Sequence, residues 1–330
     1  MKQNKCETIF TKTLGISCPI ICGPMYPCSN PELIAAVSEA GGIGVVQPLS
    51  MVYVHGYYLH EGFQMIKKLT QKPFGMNVIV ESSSRIYENR MKQSVEIALE
   101  EGCRFFITSL GSPKWVVEMV KPLGGIVYHD VTSKRWAEKA LKYNIDGFIC
   151  VNNRAGGHAG TLSRQELFDQ LRPLGLPLIC AGGIGNEDDF VNALKIGYAG
   201  VQMGTRFIAT TECREKSAYK EAIVHSSEKD IVLTERVTGI PLSVIRTPYV
   251  DKIGTKIGPI ARWLFKYRLT KKWMRMWYGF WAVRQFKKAS LYGDSSKEYW
   301  QAGKSADHVN AIESVASIIS RFAAAANRIL

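Results

Sequence analysis

Leu178-Ile179-Cys180-Ala181-Gly182-Gly183-Ile184-Gly185 and the nearby Tyr198-Ala199-Gly200-Val201-Gln202-Met203-Gly204-Thr205-Arg206-Phe207 are the two stretches whose reading decides the fold. Each is a short apolar run that stops at glycine. Such a run reads as a buried strand opening into a turn, where bare backbone N–H groups can cradle an anion with little help from side chains. Two in succession match the ends of strands seven and eight of a (β/α)8 barrel, where a phosphate commonly sits.

Six further apolar segments precede these two, at residues 19–22, 43–46, 74–80, 105–108, 126–128 and 148–151, with strands seven and eight at 178–180 and 200–203. Their lack of alternation is what strands buried on both faces require. Helices are expected between them at 31–39, capped by Asn30 with Pro31 at the first position, and at 94–101, 134–143 and 188–195. The fold class is therefore α/β: a TIM barrel with an inserted or C-terminal helical lid subdomain. An open doubly wound sheet ranks second, because Gly23-Pro24 follows the first strand where a dinucleotide fold would carry G-x-G-x-x-G. The expected organisation is a barrel over 15–210, a lid over 211–300 and a C-terminal helix over 301–330.

Beyond residue 207 the repeating pattern stops. A helix is expected over 215–225, an extended excursion over 230–244 and an irregular segment over 248–259. A last helix near 305–325 would have Val309, Ile312, Val315, Ile318 and Ile319 on its apolar face.

The 330 residues carry 42 Lys and Arg against 29 Asp and Glu, a net charge of +13, which points to an acidic partner without fixing its class. Residues 261–288 hold nine of those cations and no carboxylate, with Trp273, Trp277 and Trp281 at helical spacing. One reading packs these aromatics on the barrel while the basic chains reach solvent. Another has the stretch meet an acidic acyl carrier or an anionic membrane surface. No nucleic-acid partner is expected, since no recognition motif accompanies the charge. Cys18, Cys22 and Cys28 are poorly spaced for zinc or an iron–sulfur cluster, so no metal is expected. The lack of an apolar secretion segment or a membrane-length apolar run makes a cytoplasmic setting the expectation, with peripheral membrane association open.

Several motifs occur in order along most of the chain: P-I-I-C-G-P-M at 19–25, F-G-M-N at 74–77, A-G-G-H-A-G at 155–160, A-G-G-I at 181–184, Q-M-G-T-R-F at 202–207 and A-G-K-S at 302–305. In these the sequence resembles the flavin-dependent nitronate monooxygenases, formerly 2-nitropropane dioxygenases, and the related flavin-dependent enoyl-carrier-protein reductases. The resemblance implies FMN, its phosphate near Gly182, Gly183, Gly204 and Thr205 and its ring near Gly23, Pro24, Met25 and Asn77. His129 is a further expected flavin contact, with Asp130 beside it to orient it. His158, flanked by small residues that allow close approach and able to exchange a proton near neutral pH, is the expected catalytic residue. The family often has an acidic residue before A-G-G-H, and here Arg154 stands there.

The implied reaction is oxidation of an alkyl nitronate or nitroalkane by molecular oxygen to a carbonyl compound and oxidised nitrogen. The alternatives are reduction of an enoyl thioester by NADH or NADPH through FMN, and a noncatalytic flavin-binding protein.

Overall fold

The computed structural model describes residues 5–81, 85–265, 267–293 and 299–329. The aliphatic runs form eight parallel strands: β1 (Ile20–Cys22), β2 (Ile43–Val46), β3 (Gly75–Val80), β4 (Phe105–Leu110), β5 (Ile126–Val131), β6 (Gly147–Val151), β7 (Leu178–Ala181) and β8 (Gly200–Met203). Each pairs with the next, and β8 closes on β1 through Ile20 opposite Val201 and Cys22 opposite Met203. This is the expected TIM barrel.

Helix α1 (Ile9–Leu14) precedes β1. The crossovers carry α2 (Pro31–Glu39), α3 (Leu59–Leu69), α4 (Arg85–Glu100), α5 (Lys114–Val120), α6 (Lys134–Leu141), α7 (Arg164–Leu171) and α8 (Glu187–Ile196), and the short α9 (Thr205–Ile208) follows β8. Inside the barrel Ile21, Ile43, Val45, Phe105, Ile107, Tyr128, Ile149, Ile179 and Ala181 form one cluster with Phe10 of α1. The rings of Phe10, Phe105 and Tyr128 meet pairwise with centroids 5.4–5.8 Å apart. Burying one such ring stabilises by about 2 kcal/mol. Because Phe105 opens β4, this plug fills the N-terminal end of the barrel and leaves the opposite mouth for a ligand.

The later chain contains α10 (Ser217–Val224), an antiparallel hairpin of β9 (Ile231–Thr234) and β10 (Leu242–Ile245), α11 (Pro248–Ile253), α12 (Pro259–Leu264), α13 (Arg268–Tyr292) and α14 (Val315–Ile329). The segment expected to be irregular over 248–259 instead begins two helices. Each starts on a proline, which suits a first helical position, and the Thr247 hydroxyl accepts the Val250 N–H as a cap. The last helix starts later than expected: a 3-10 turn spans Lys304–His308, and Val309 and Ile312 precede α14. Ile318, Ile319 and Phe322 of α14 are buried, with Phe322 against Phe190 of α8.

Ala282, Phe286 and Ala289 make the buried face of α13, the first two in a small core with Val237, Leu242, Val244, Val250 and Tyr299. Trp273, Trp277 and Trp281 lie on the opposite face and are exposed, which removes the first of the two readings, in which they pack on the barrel. A helix has one inward face, and here alanine and phenylalanine occupy it. Among the described residues no helix is long and apolar enough to cross a membrane. All eight cysteines are buried and unbridged.

Candidate active site

After β7 the backbone turns through Gly182 and Gly183 with φ of 116° and 75°, the left-handed region that favours glycine. A Cβ at 182 would come 2.5 Å from Asn152 Oδ1, and one at 183 would come 2.8 Å from Arg154 Nε. Asn152 binds the two adjoining loops together: its Nδ2 donates to Gly182 O at 2.9 Å and its Oδ1 accepts the Arg154 N–H at 2.8 Å. After β8, Gly204 faces Met25, whose Sδ would lie 3.3 Å from a Cβ at that position. Gly23 donates its N–H to Met203 O, so the Gly23-Pro24-Met25 turn lies against the second glycine turn. Thr205 Oγ1 accepts the Gly303 N–H at 2.9 Å, which leaves the threonine hydroxyl proton to donate.

The inner face of the mouth is polar. Asn77 of β3 donates to Ile107 O at 3.0 Å and to Ser109 Oγ at 3.4 Å. Strand β5 extends to Val131, so His129 and Asp130 lie within it and point to opposite sides. His129 shares register with Phe148 and meets Thr108 Oγ1 at 2.8 Å through Nδ1, buried between barrel and helices. Burial pulls its pKa down to about 4 and keeps it neutral. The flavin contact expected of His129 is therefore corrected. Its partner is Thr108, not Asp130.

Asp130 shares register with Ile149 of the inner cluster. Its Oδ1 is sealed from solvent with no hydrogen-bond partner among the described residues, and burial pushes the carboxyl up to about 7. Gln202, on β8 between the outward Val201 and Met203, likewise has an unpartnered buried Oε1. Gly23 admits its side chain, since a Cβ there would lie 2.9 Å from Gln202 Cγ. The sequence reading assigned neither residue to the inner mouth. Period-two alternation, counted from Tyr128 and Val201, was the signal for both.

The loop after β6 carries His158. Gly157 O accepts the Ser243 N–H of β10 at 2.8 Å, and a Cβ on Gly156 would touch the Gly303 backbone at 3.0 Å. The loop is thus held between the hairpin and the A-G-K-S segment. His158 Nε2 lies 3.1 Å from Thr238 Oγ1, and the Thr238 hydroxyl donates to Ile240 O at 3.0 Å. With that proton committed, Thr238 accepts from Nε2–H and His158 Nδ1 carries the lone pair. The ring edge is exposed at the rim, yet the protein around it desolvates the imidazole and lowers its pKa. Arg154 pairs with Glu228 at 2.6 Å and Lys304 Nζ meets the other oxygen at 3.0 Å. The hydrogen bond from Lys304, with that from Arg154, holds the Glu228 carboxyl below its ordinary value.

These groups fit a flavin. The two glycine turns and the Thr205 hydroxyl supply donors for a phosphate. An isoalloxazine carries both carbonyl oxygens and a ring N–H, which suits the Asn77 amide and the unpartnered Gln202 oxygen.

The profile of the nitronate monooxygenase family matches residues 7–324. The chain belongs to that family. A dehydrogenase of (3aS,4S,5R,7aS)-5-hydroxy-7a-methyl-1-oxo-octahydro-1H-indene-4-carboxyl-CoA from Mycobacterium tuberculosis is 29% identical over 75% of this chain and 68% of its own. A probable nitronate monooxygenase of Staphylococcus saprophyticus is 26% identical over 83% of this chain and 92% of its own. The structure of FabK from Thermotoga maritima superposes with a TM-score of 0.80 at 28% identity, covering 98% of this chain and 96% of that one. Family and fold together support an FMN-dependent oxidoreductase acting on a nitroalkane-type or enoyl-type substrate.

Proposed function

We propose that the protein is a nitronate monooxygenase that binds FMN at the barrel mouth and oxidises alkyl nitronates with molecular oxygen. The observation that carries this reading is His158: an imidazole at the rim whose pKa is lowered by the protein around it, on a loop tied to the glycine turns, with Nε2 committed to Thr238. Such a ring can take the acidic C–H proton of a nitroalkane at Nδ1. Gly182, Gly183, Gly204 and Thr205 would hold the phosphate. Gly23, Pro24, Met25, Asn77 and Gln202 would hold the ring. Bound FMN would supply electron transfer between the nitronate and dioxygen, leading to a carbonyl compound and oxidised nitrogen.

A second reading, reduction of an enoyl thioester by NADH or NADPH, is favoured by one feature of the rim. Arg154 and Lys304 converge on the single carboxylate of Glu228, and these cations could meet the phosphates of a coenzyme A thioester. The Mycobacterium tuberculosis relative is named for such a thioester.

Anaerobic flavin absorbance separates the two. Bleaching by an alkyl nitronate or propionate 3-nitronate, but not by NADH or NADPH, supports the first. Bleaching by a nicotinamide nucleotide, with colour restored by an enoyl thioester, replaces it with the second. Folded protein that cannot be loaded with FMN ends both.

A further inference from the structure

Among the described residues, nothing covers the outward face of α13. Trp273, Met276, Trp277, Phe280 and Trp281 recur at the three- and four-residue steps of one helical face. The three tryptophans are 72%, 61% and 47% exposed. Arg284 continues the same stripe with its guanidinium 4.4 Å from the Phe280 ring centroid, and Lys287 follows. Helix α12 adds the exposed Ile260 and Trp263. An apolar patch of this kind on a soluble surface marks a place where something binds.

The chemistry of the patch selects the partner. A second copy related by a two-fold axis would bring Arg284 and Lys287 against like charge, with no carboxylate between 261 and 288 to offset them. An acidic protein would answer the charges but gives no reason for this concentration of tryptophan. An anionic bilayer answers both, since indole rings favour the headgroup boundary and Lys and Arg meet lipid phosphates. The helix is not apolar enough to cross the bilayer, so it would lie in the interfacial plane.

We infer that α12 and α13 dock the protein on an anionic lipid surface. The Trp263, Trp273, Trp277 and Trp281 side chains sit at headgroup level, and Arg284 and Lys287 pair with lipid phosphates. The docking helix is joined to the barrel mouth, because Tyr26 OH, next to the Gly23-Pro24-Met25 turn, donates to Val283 O at 2.8 Å. The inference does not depend on which flavin reaction the barrel performs.

The test is flotation of the full chain with vesicles of phosphatidylcholine alone and of equal parts phosphatidylcholine and phosphatidylglycerol. Binding is expected to the anionic vesicles, to weaken with added salt, and to be accompanied by quenching of tryptophan emission by brominated lipid. Arg284→Gln/Lys287→Gln should weaken partitioning on the order of twentyfold, at about fivefold for each cation. Trp273→Ser/Trp277→Ser/Trp281→Ser should remove most of both binding and quenching. Unchanged melting temperatures would show that the variants fold; if they do not, lipid quenching of the wild-type protein decides. No flotation with anionic vesicles, equal binding to neutral ones, or a lipid-indifferent dimer abolished by the tryptophan variant would overturn the inference. So would capture of an acidic acyl carrier by a protein that ignores vesicles.

Discussion

The Arg154 side chain lies directly against Gly183, leaving no room for a Cβ there: its Nε, Cβ and Cδ would all fall within 2.9 Å of one. Arg154 therefore forms one wall of the glycine turn after β7. Gly183→Ala should suffer both from this contact and from its left-handed φ, the latter costing about 1 kcal/mol. FMN affinity should fall at least about tenfold, corresponding to ~1.4 kcal/mol. Adding Arg154→Gly, which removes all three contacting side-chain atoms, should recover the steric share and leave the backbone share. Flavin titration of the single and double variants measures both.

His158→Asn should retain FMN and lower turnover of a neutral nitroalkane by roughly 100-fold to 10,000-fold, the range of general-base effects. Turnover of a preformed nitronate should fall much less. Desolvation favours the neutral ring, so the wild-type rate on nitroalkane should rise with pH through a midpoint below the ordinary histidine value of about 6.5. Equal losses on the two substrates would remove His158 from proton transfer.

Asp130 makes a signed prediction for stability. Its native pKa of about 7 stands above the ordinary 3.8. Between those values the unfolded chain has lost the proton that the native chain keeps, so this group makes stability fall as pH rises from about 4 to about 7. Asp130→Asn should remove the slope. In flavin-free protein its stability relative to wild type should improve by roughly 2 kcal/mol between about pH 5 and about pH 8. Denaturant unfolding at the two pH values is the measurement, and parallel pH dependences would contradict the assignment.

Phe10→Ala should destabilise the barrel by about 3–5 kcal/mol through the cavity left beside Phe105 and Tyr128. FMN affinity of the folded variant should be near wild type, because the plug lies at the end away from the glycine turns. A selective loss of flavin without a loss of stability would contradict that separation.

The eight strands were legible because fully buried strands leave dense aliphatic runs bounded by glycine and proline. The glycine turns that follow β7 and β8 were legible for the same reason. His129 was misread because its polarity looked like a strand end, whereas the strand continues and Thr108 from the neighbouring strand receives the imidazole. Asp130 and Gln202 come from strands far apart in sequence, and only barrel closure puts both on its inner face. The segment over 248–259 read as irregular, although a proline at the first helical position starts a helix. For α13 the spacing of Trp273, Trp277 and Trp281 showed one shared face. Which face turned inward depended on Ala282, Phe286 and Ala289 packing, in part against the distant hairpin.

Gly303 and Lys304 reach back to Thr205 and to the Arg154 carbonyl. A chain ending after β8 would hold both glycine turns yet lack the backbone contacts by which residues 303 and 304 brace Thr205 and Arg154.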